Sequence, residues 1–89
     1  SVIIYKRSGK KKEDDLLVIL NMTPVVRNDW EIYVKGKMYT EEIFNSDKTI
    51  YWGTGKVFNP SIRCELVDKA QDTYRIKVNL PALACIILK

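Results

Sequence analysis

The sequence predicts an all-β fold: an antiparallel β-sandwich of about seven to eight short strands with Greek-key connections. Three observations carry that expectation. Apolar residues recur at every second position through most of the chain, and helical periodicity is nearly absent. Turn-forming clusters, among them Asn21-Met22-Thr23-Pro24, Asn45-Ser46-Asp47 and Gly53-Thr54-Gly55, divide the chain at intervals of about 8–12 residues. At 89 residues, 46% hydrophobic and 29% charged, the chain has the size and composition of one globular domain. A small barrel is the structural alternative.

Val2 to Arg7 reads as the first strand. It starts directly after Ser1, with no initiator Met, which fits a segment of a larger protein. Ser8-Gly9 and the charged run to Asp15 form a loop, and Leu16 to Met22 is the return strand. Pro24 has no N–H to offer a ladder, so it ends that strand and biases Thr23 toward extended backbone. Trp30, Ile32 and Val34 point one way and Glu31, Tyr33 and Lys35 the other, as in a half-buried strand. Lys35-Gly36-Lys37 supplies a turn, and Met38 to Asn45 is the next strand. Its alternation breaks at Glu41-Glu42 and Ile43-Phe44, which implies an edge position or a bulge. Residues 45–60 read mostly as loop, with a short strand near Thr49 to Trp52. Ile62, Cys64 and Leu66 then face inward, Gln71-Asp72 makes a turn, and Tyr74, Ile76, Val78 and Leu80 face inward from the following strand.

Two strands do not alternate: Leu16-Leu17-Val18-Ile19-Leu20 and Leu83-Ala84-Cys85-Ile86-Ile87-Leu88. A strand of an antiparallel sandwich normally turns one face to water. Continuous apolarity implies cover on both faces, and therefore a partner surface outside the sandwich.

The net charge of +4 does not point to nucleic acid. Lys6, Arg7, Lys10, Lys11 and Lys12, all within the first twelve residues, hold the excess, and the remaining 77 residues carry ten basic and eleven acidic groups. A phosphate-tracking stripe would cross a face and interleave aromatics; this cluster is the tip of one loop. No apolar run approaches the roughly 18–20 residues that span a bilayer, and the first residues do not form a signal peptide. Cys64 and Cys85 read as small core hydrophobes of a reduced, cytoplasmic protein. Asn21-Met22-Thr23 is formally a glycosylation sequon, but Pro24 and the strand end make it a poor one.

Catalytic chemistry has little to stand on. There is no histidine, hence no usual general base and no common zinc ligand, and the two cysteines lack metal-ligand spacing; no metal or cofactor is expected. Gly53-Thr54-Gly55-Lys56 lacks the leading spacing and the following helix of a phosphate loop. Glu41 and Glu42 are adjacent on a strand and are expected to face apart, and Asp14-Asp15 balance the preceding lysines, so neither pair makes an acid/base dyad. Among the aromatics, Trp30 reads as core, while Tyr51 and Trp52 fall in a loop and are the candidate substrate contacts, since a ring can stack on the apolar face of a sugar. Asn45, Ser46 and Asp47 are expected to hydrogen-bond their own loop.

Leu16 to Pro24, then Glu42-Ile43-Phe44-Asn45-Ser46-Asp47, Tyr51-Trp52-Gly53-Thr54-Gly55 and Val78-Asn79-Leu80-Pro81-Ala82-Leu83-Ala84 together resemble the C-terminal β-domain of glycogen (1,4-α-glucan) branching enzymes of the α-amylase superfamily. The likeness is ordered and spans nearly the whole chain. Met22 stands where that family often has an aromatic, Trp52 where it has a second glycine, and Ala82 where it has a second proline. The resemblance implies a non-catalytic domain behind a (β/α)₈ barrel whose carboxylates cut an α-1,4 linkage and build an α-1,6 branch through a covalent glycosyl-enzyme. It implies the barrel of the same polypeptide as partner, with the apolar strands split between core and barrel, and Leu17, Ile19, Ala84, Ile86 and Leu88 toward the barrel. Two other functions stay open. One is a carbohydrate-binding module that holds α-glucan (glycogen) through Trp52 and Tyr51. The other is a free-standing interaction domain. The C-terminal domain of another superfamily enzyme is a further alternative.

Overall fold

A computed structural model describes residues 1–89. Seven strands form: β1 (Val2–Arg7), β2 (Leu16–Asn21), β3 (Arg27–Lys35), β4 (Glu42–Asn45), β5 (Arg63–Asp68), β6 (Thr73–Leu80) and β7 (Ala84–Leu88). They build two antiparallel sheets, one ordered β1-β2-β7-β4 and the other β3-β6-β5. Four of the six connections pass from one sheet to the other, and β7 inserts between β2 and β4, an interleaving of the Greek-key kind. The β-sandwich expected from the alternation is therefore the fold.

The core lies between the sheets. Leu17 and Ile19 of β2 and Ile86 and Leu88 of β7 pack against Ile32 and Val34 of β3 and Ile76, Val78 and Leu80 of β6, with Tyr39 and Ile62 closing the cluster. Register explains the pairing: Leu17 lies opposite Leu88, Ile19 opposite Ile86, and Asn21 opposite Ala84. This corrects one expectation. Leu17, Ile19, Ile86 and Leu88 are core residues, and Ala84 shares their face, so none of the five looks outward. Burial of each of these four Leu and Ile side chains contributes about 1.5–3 kcal/mol.

The lysine-rich segment is a loop, as expected. It joins β1 to β2 through a short 3₁₀ turn at Lys12–Asp14, and the Gly9 amide donates to the buried Asp15 carboxylate (3.0 Å). Gly36, at φ 93°, makes the turn after β3, but β4 does not pair with β3. The chain changes sheets there. Tyr39 plunges into the core, so the strand expected from Met38 is shortened to β4. β4 is an edge strand, and its register shifts between Glu42 and Phe44, which matches the broken alternation.

Two further expectations fail. Thr49–Tyr51 is a 3₁₀ turn, not a strand, because Trp52 adopts a left-handed conformation and bends the chain back. Leu66 is half exposed: it lies on edge strand β5, where no neighbour covers its far side and the register shifts just beyond it.

Candidate functional site

The two outer faces of the sandwich differ in kind. On the β3-β6-β5 sheet, Glu31, Lys77 and Arg63 line up across the strands, followed by Tyr33, Arg75 and Glu65. Arg75 reaches Glu65 at 2.7 Å and Lys77 reaches Glu31 at 3.7 Å, so this surface is an exposed ladder of opposite charges. Such a face suits water.

The other sheet presents the opposite. Tyr5, Val18, Ile87 and Phe44 form one row across all four strands. Ile3, Leu20 and Cys85 form the next, and Leu16 stands beside Arg7, the one charged side chain in these rows. Val18 is only 5% exposed although it lies outside the core cluster, because its outer-face neighbours shield it. Tyr5 and Ile3, on edge strand β1, are about half exposed. The two-sided apolarity of β2 and β7 thus resolves into a core face and an outer apolar face. The outer set was hidden in the sequence because a strand without alternation carries no sign of which parity points inward.

The loop beyond β4 borders this face. Its turn at Thr49–Tyr51 sets the Tyr51 ring 5.4 Å from Phe44, so one side of Tyr51 is already occupied. Trp52, next in the chain, is 96% exposed at φ 68°. Of the two predicted contacts, only Trp52 offers a free ring.

Side-chain fasteners hold the loop. The buried Asn45 donates to the Val57 carbonyl (2.9 Å) and to the Glu42 carboxylate (3.2 Å), and it accepts from the Asp47 amide (2.8 Å). Asp47 accepts from the Thr54 hydroxyl (2.6 Å) and the Thr54 amide (3.1 Å). Partial burial pushes the Asp47 carboxyl up, but the bonds from Thr54 and Val57 outweigh it and hold it below its ordinary value. A Cβ on Gly53 would collide with the Asp47 backbone, so this loop closes tightly only with glycine there. Asn45 and Asp47 bond within their own loop, as expected. Ser46 instead accepts from the Cys85 amide (2.8 Å), tying the loop to β7.

A cavity of 450 Å³ opens between the turn and residues 55–60, lined among others by Glu41, Glu42, Lys48, Thr49, Ile50 and Phe58. Glu41 and Glu42 both border it, and Glu41 exchanges backbone hydrogen bonds with Lys89 (3.2 and 2.8 Å), extending the pairing of β4 with β7 by one residue. Glu42 is committed to structure, accepting from Asn45 and from Asn59 (2.9 Å). Asn59 also exchanges bonds with the Asn79 backbone, donating to its carbonyl (2.9 Å) and accepting from its amide (2.7 Å). Phe58 was missed because a lone aromatic in a loop has no pattern around it. No group of three or more Cys, Asp or Glu side chains is placed to hold a metal ion, and no helix is long and apolar enough to cross a membrane.

Trp52 sits where glycine would be at ease. A left-handed conformation costs a residue with a Cβ about 1–2 kcal/mol, part of which glycine returns through the entropy of its unfolded chain. Trp52→Gly is therefore expected to stabilise the chain by about 0.5–1 kcal/mol. Thermal or urea unfolding checks this, and a loss of stability would mean that the indole makes contacts beyond those described.

The chain matches the family of alpha amylase, C-terminal all-beta domains over residues 1–89. It is 34% identical over 90 residues to the 1,4-alpha-glucan branching enzyme GlgB 2 of Clostridium perfringens (strain SM101 / Type A), covering 100% of this chain and 14% of the relative. It is 32% identical over 89 residues to the 1,4-alpha-glucan branching enzyme GlgB of Francisella tularensis subsp. tularensis (strain FSC 198), with the same coverage. The enzyme of that name from Rhodopirellula baltica is 33% identical over 89 residues, covering 100% of this chain and 12% of the relative. The chain thus spans about one seventh of the length of these relatives.

Proposed function

Because this chain belongs to the alpha amylase C-terminal all-beta domain family, we propose that it is the non-catalytic C-terminal domain of a cytoplasmic 1,4-α-glucan branching enzyme, seated on the catalytic barrel of the same polypeptide. The observation that carries this reading is the contrast between the two outer faces. One is a ladder of paired charges; the other is an apolar sheet running from Tyr5 through Val18 and Ile87 to Phe44. A face of that kind is a docking surface. Its partner is taken to be the remainder of the enzyme because the relatives carry about six-sevenths of their length outside the matched region.

The energetics suit a supporting role. Covering roughly 400 Å² of apolar surface at about 25 cal/mol per Å² contributes about 10 kcal/mol, before the cost of fixing one domain on another. Chemistry supports the same assignment. The carboxylates of Glu42, Asp47 and Glu65 are bound to Asn45 and Asn59, to Thr54 and to Arg75, respectively. In the parent, α-1,4 segments would be cut and rejoined at 6-hydroxyls by barrel residues, with this domain holding the barrel's flank.

The test places Leu20→Lys and Ile87→Lys together in the complete enzyme and in this chain alone. Both residues are half-buried on the outer face, so the isolated chain is expected to stay folded and to lose about 2 kcal/mol, the sum of the two burial losses. The complete enzyme is expected to lose thermal stability and to aggregate, while Tyr33→Lys on the charged face leaves it intact. A complete double variant with undiminished stability and activity would sink the docking assignment.

A further inference from the structure

The edge strands of the two sheets are not alike. β3, β4 and β5 each carry a register shift against their neighbour, the kind of irregularity that blunts an edge. β1 pairs with β2 without a break from Val2 to Arg7, and it holds no proline or glycine. Its other side has no strand beside it.

Alternation shows which backbone groups that side leaves open. The Met22 amide donates to the Ser1 carbonyl (2.9 Å), so the odd-numbered residues of β1 bond β2, while Val2, Ile4 and Lys6 turn their N–H and C=O groups to the free edge. No turn or loop hydrogen bond reaches those three residues. Apolar side chains flank the edge on both faces. Ile3 and Tyr5 are about half exposed on the outer face. Ile4 stands opposite the fully buried Ile19, yet it is 39% exposed and lies outside the core cluster. An unbroken edge that is apolar on both faces is a template for one more strand.

The strand that fits is β1 of a second copy, antiparallel about a two-fold axis at Ile4. That register sets Ile4 against the partner's Ile4, Val2 against the partner's Lys6 and Ile3 against the partner's Tyr5. Every open residue then donates and accepts across the seam, about six bonds in all. Ile3 and Tyr5 take the non-hydrogen-bonded positions, where a β-branched and an aromatic side chain approach most closely. The Lys6 stem can lie along Val2 with its ammonium in water. Charge selects this register. It carries Lys6 and Arg7 of the two copies to opposite ends of the seam, with the lysines about 13 Å apart along the strand. An axis at Tyr5 would bring the lysines to about 7 Å and one at Lys6 would set them face to face, while an axis at Ile3 would leave Lys6 without a partner among these strand residues.

We infer that this chain self-associates as a two-fold dimer through the free edge of β1, joining two four-stranded sheets into one. A seam of 6 residues a side is small for a specific interface, so the association is weak and concentration-dependent. The dimer does not rest on the parent proposed above, and it leaves the outer face open.

Sedimentation equilibrium of the 89-residue chain from about 10 μM to about 1 mM tests it, with each variant checked for a cooperative melt. A reversible monomer–dimer equilibrium is expected. Lys6→Pro removes a donor from the free edge and spares the ladder to β2, so it should weaken association about tenfold. Ile4→Lys and Ile4→Glu each set like charges against each other on the axis and should be monomeric, whereas a mixture of the two associates. That arm decides the matter if Lys6→Pro does not fold. A monomer at the highest concentration would overturn the dimer. So would assemblies larger than two, because a two-fold pairing uses up the edge. Association untouched by Lys6→Pro would overturn the β1 seam, and a mixture no better than either Ile4 variant alone would overturn the register. The docking test reads the stability of the complete enzyme, so docking and self-association fail separately.

Discussion

Replacing Ile86 with alanine is expected to cost about 2–5 kcal/mol, read as the loss in unfolding free energy of the 89-residue chain in urea. Ile86 is fully buried, opposite Ile19 on β2 and Asn45 on β4, and it belongs to the cluster between the sheets. Truncation removes transfer energy and leaves a cavity that neighbours on both adjoining strands resist closing. A domain of this size is stable by about 5–13 kcal/mol at 0.05–0.15 kcal/mol per residue, so the variant would lose a large share of its stability. The neighbouring residue gives the contrast. Ile87 is half-buried on the outer face between Val18 and Phe44, and Ile87→Ala is expected to cost about 1 kcal/mol in the isolated chain. If the order of the two effects were reversed, the core and docking faces of this sheet would have to be exchanged.

That pair also shows where sequence reasoning stops. The sandwich was legible because Ile32 and Val34, and Ile76, Val78 and Leu80, alternate with charged or polar neighbours. The need for cover on both sides of β2 and β7 was legible from their unbroken apolarity. Which parity faces inward was not, since Leu17-Val18 and Ile86-Ile87 look alike to any periodicity. Pairing decides it: Leu17 meets Leu88 and Val18 meets Ile87. A face is thus a property of several strands at once, and the row from Tyr5 to Phe44 draws on β1, β2, β4 and β7.

The loop was legible in outline only. Asn45 and Asp47 read as turn-formers because short polar side chains close on nearby amides, and they do. Thr49-Ile50-Tyr51-Trp52 carries β-branched and aromatic residues that favour strands, but local bonds to Thr49 and Lys48 and the left-handed Trp52 override that preference. Asn59 gave no signal of its importance, because its partners Glu42 and Asn79 are 17 and 20 residues away.

Asn21 is the polar residue on which the sandwich depends most. It is buried, and its side chain makes four hydrogen bonds: Nδ2 donates to the carbonyls of Val25 and Pro81 (both 2.9 Å), and Oδ1 accepts from the Thr23 amide (3.1 Å) and hydroxyl (2.7 Å). These bonds pin the end of β2 to the turn that leaves it and to the Pro81 turn between β6 and β7. Asn21→Ala strands those partners, one of them on the buried Pro81, and is expected to cost about 2–4 kcal/mol at neutral pH. Asn21→Asp separates hydrogen bonding from volume. Its oxygen can still accept from Thr23, but the second oxygen replaces a donor that faced two carbonyls. Burial and those carbonyls would raise the new carboxyl's pKa in the folded state. The folded chain would then bind a proton more tightly than the unfolded one, so this variant should be more stable below the ordinary carboxylate pKa and weaken as pH rises through the folded value. Unfolding of Asn21→Ala and Asn21→Asp across pH 3 to 8, roughly the span of such a shift, measures this. A flat difference between the two would mean that the aspartate has swung out to water and that the four bonds contribute less than their geometry implies.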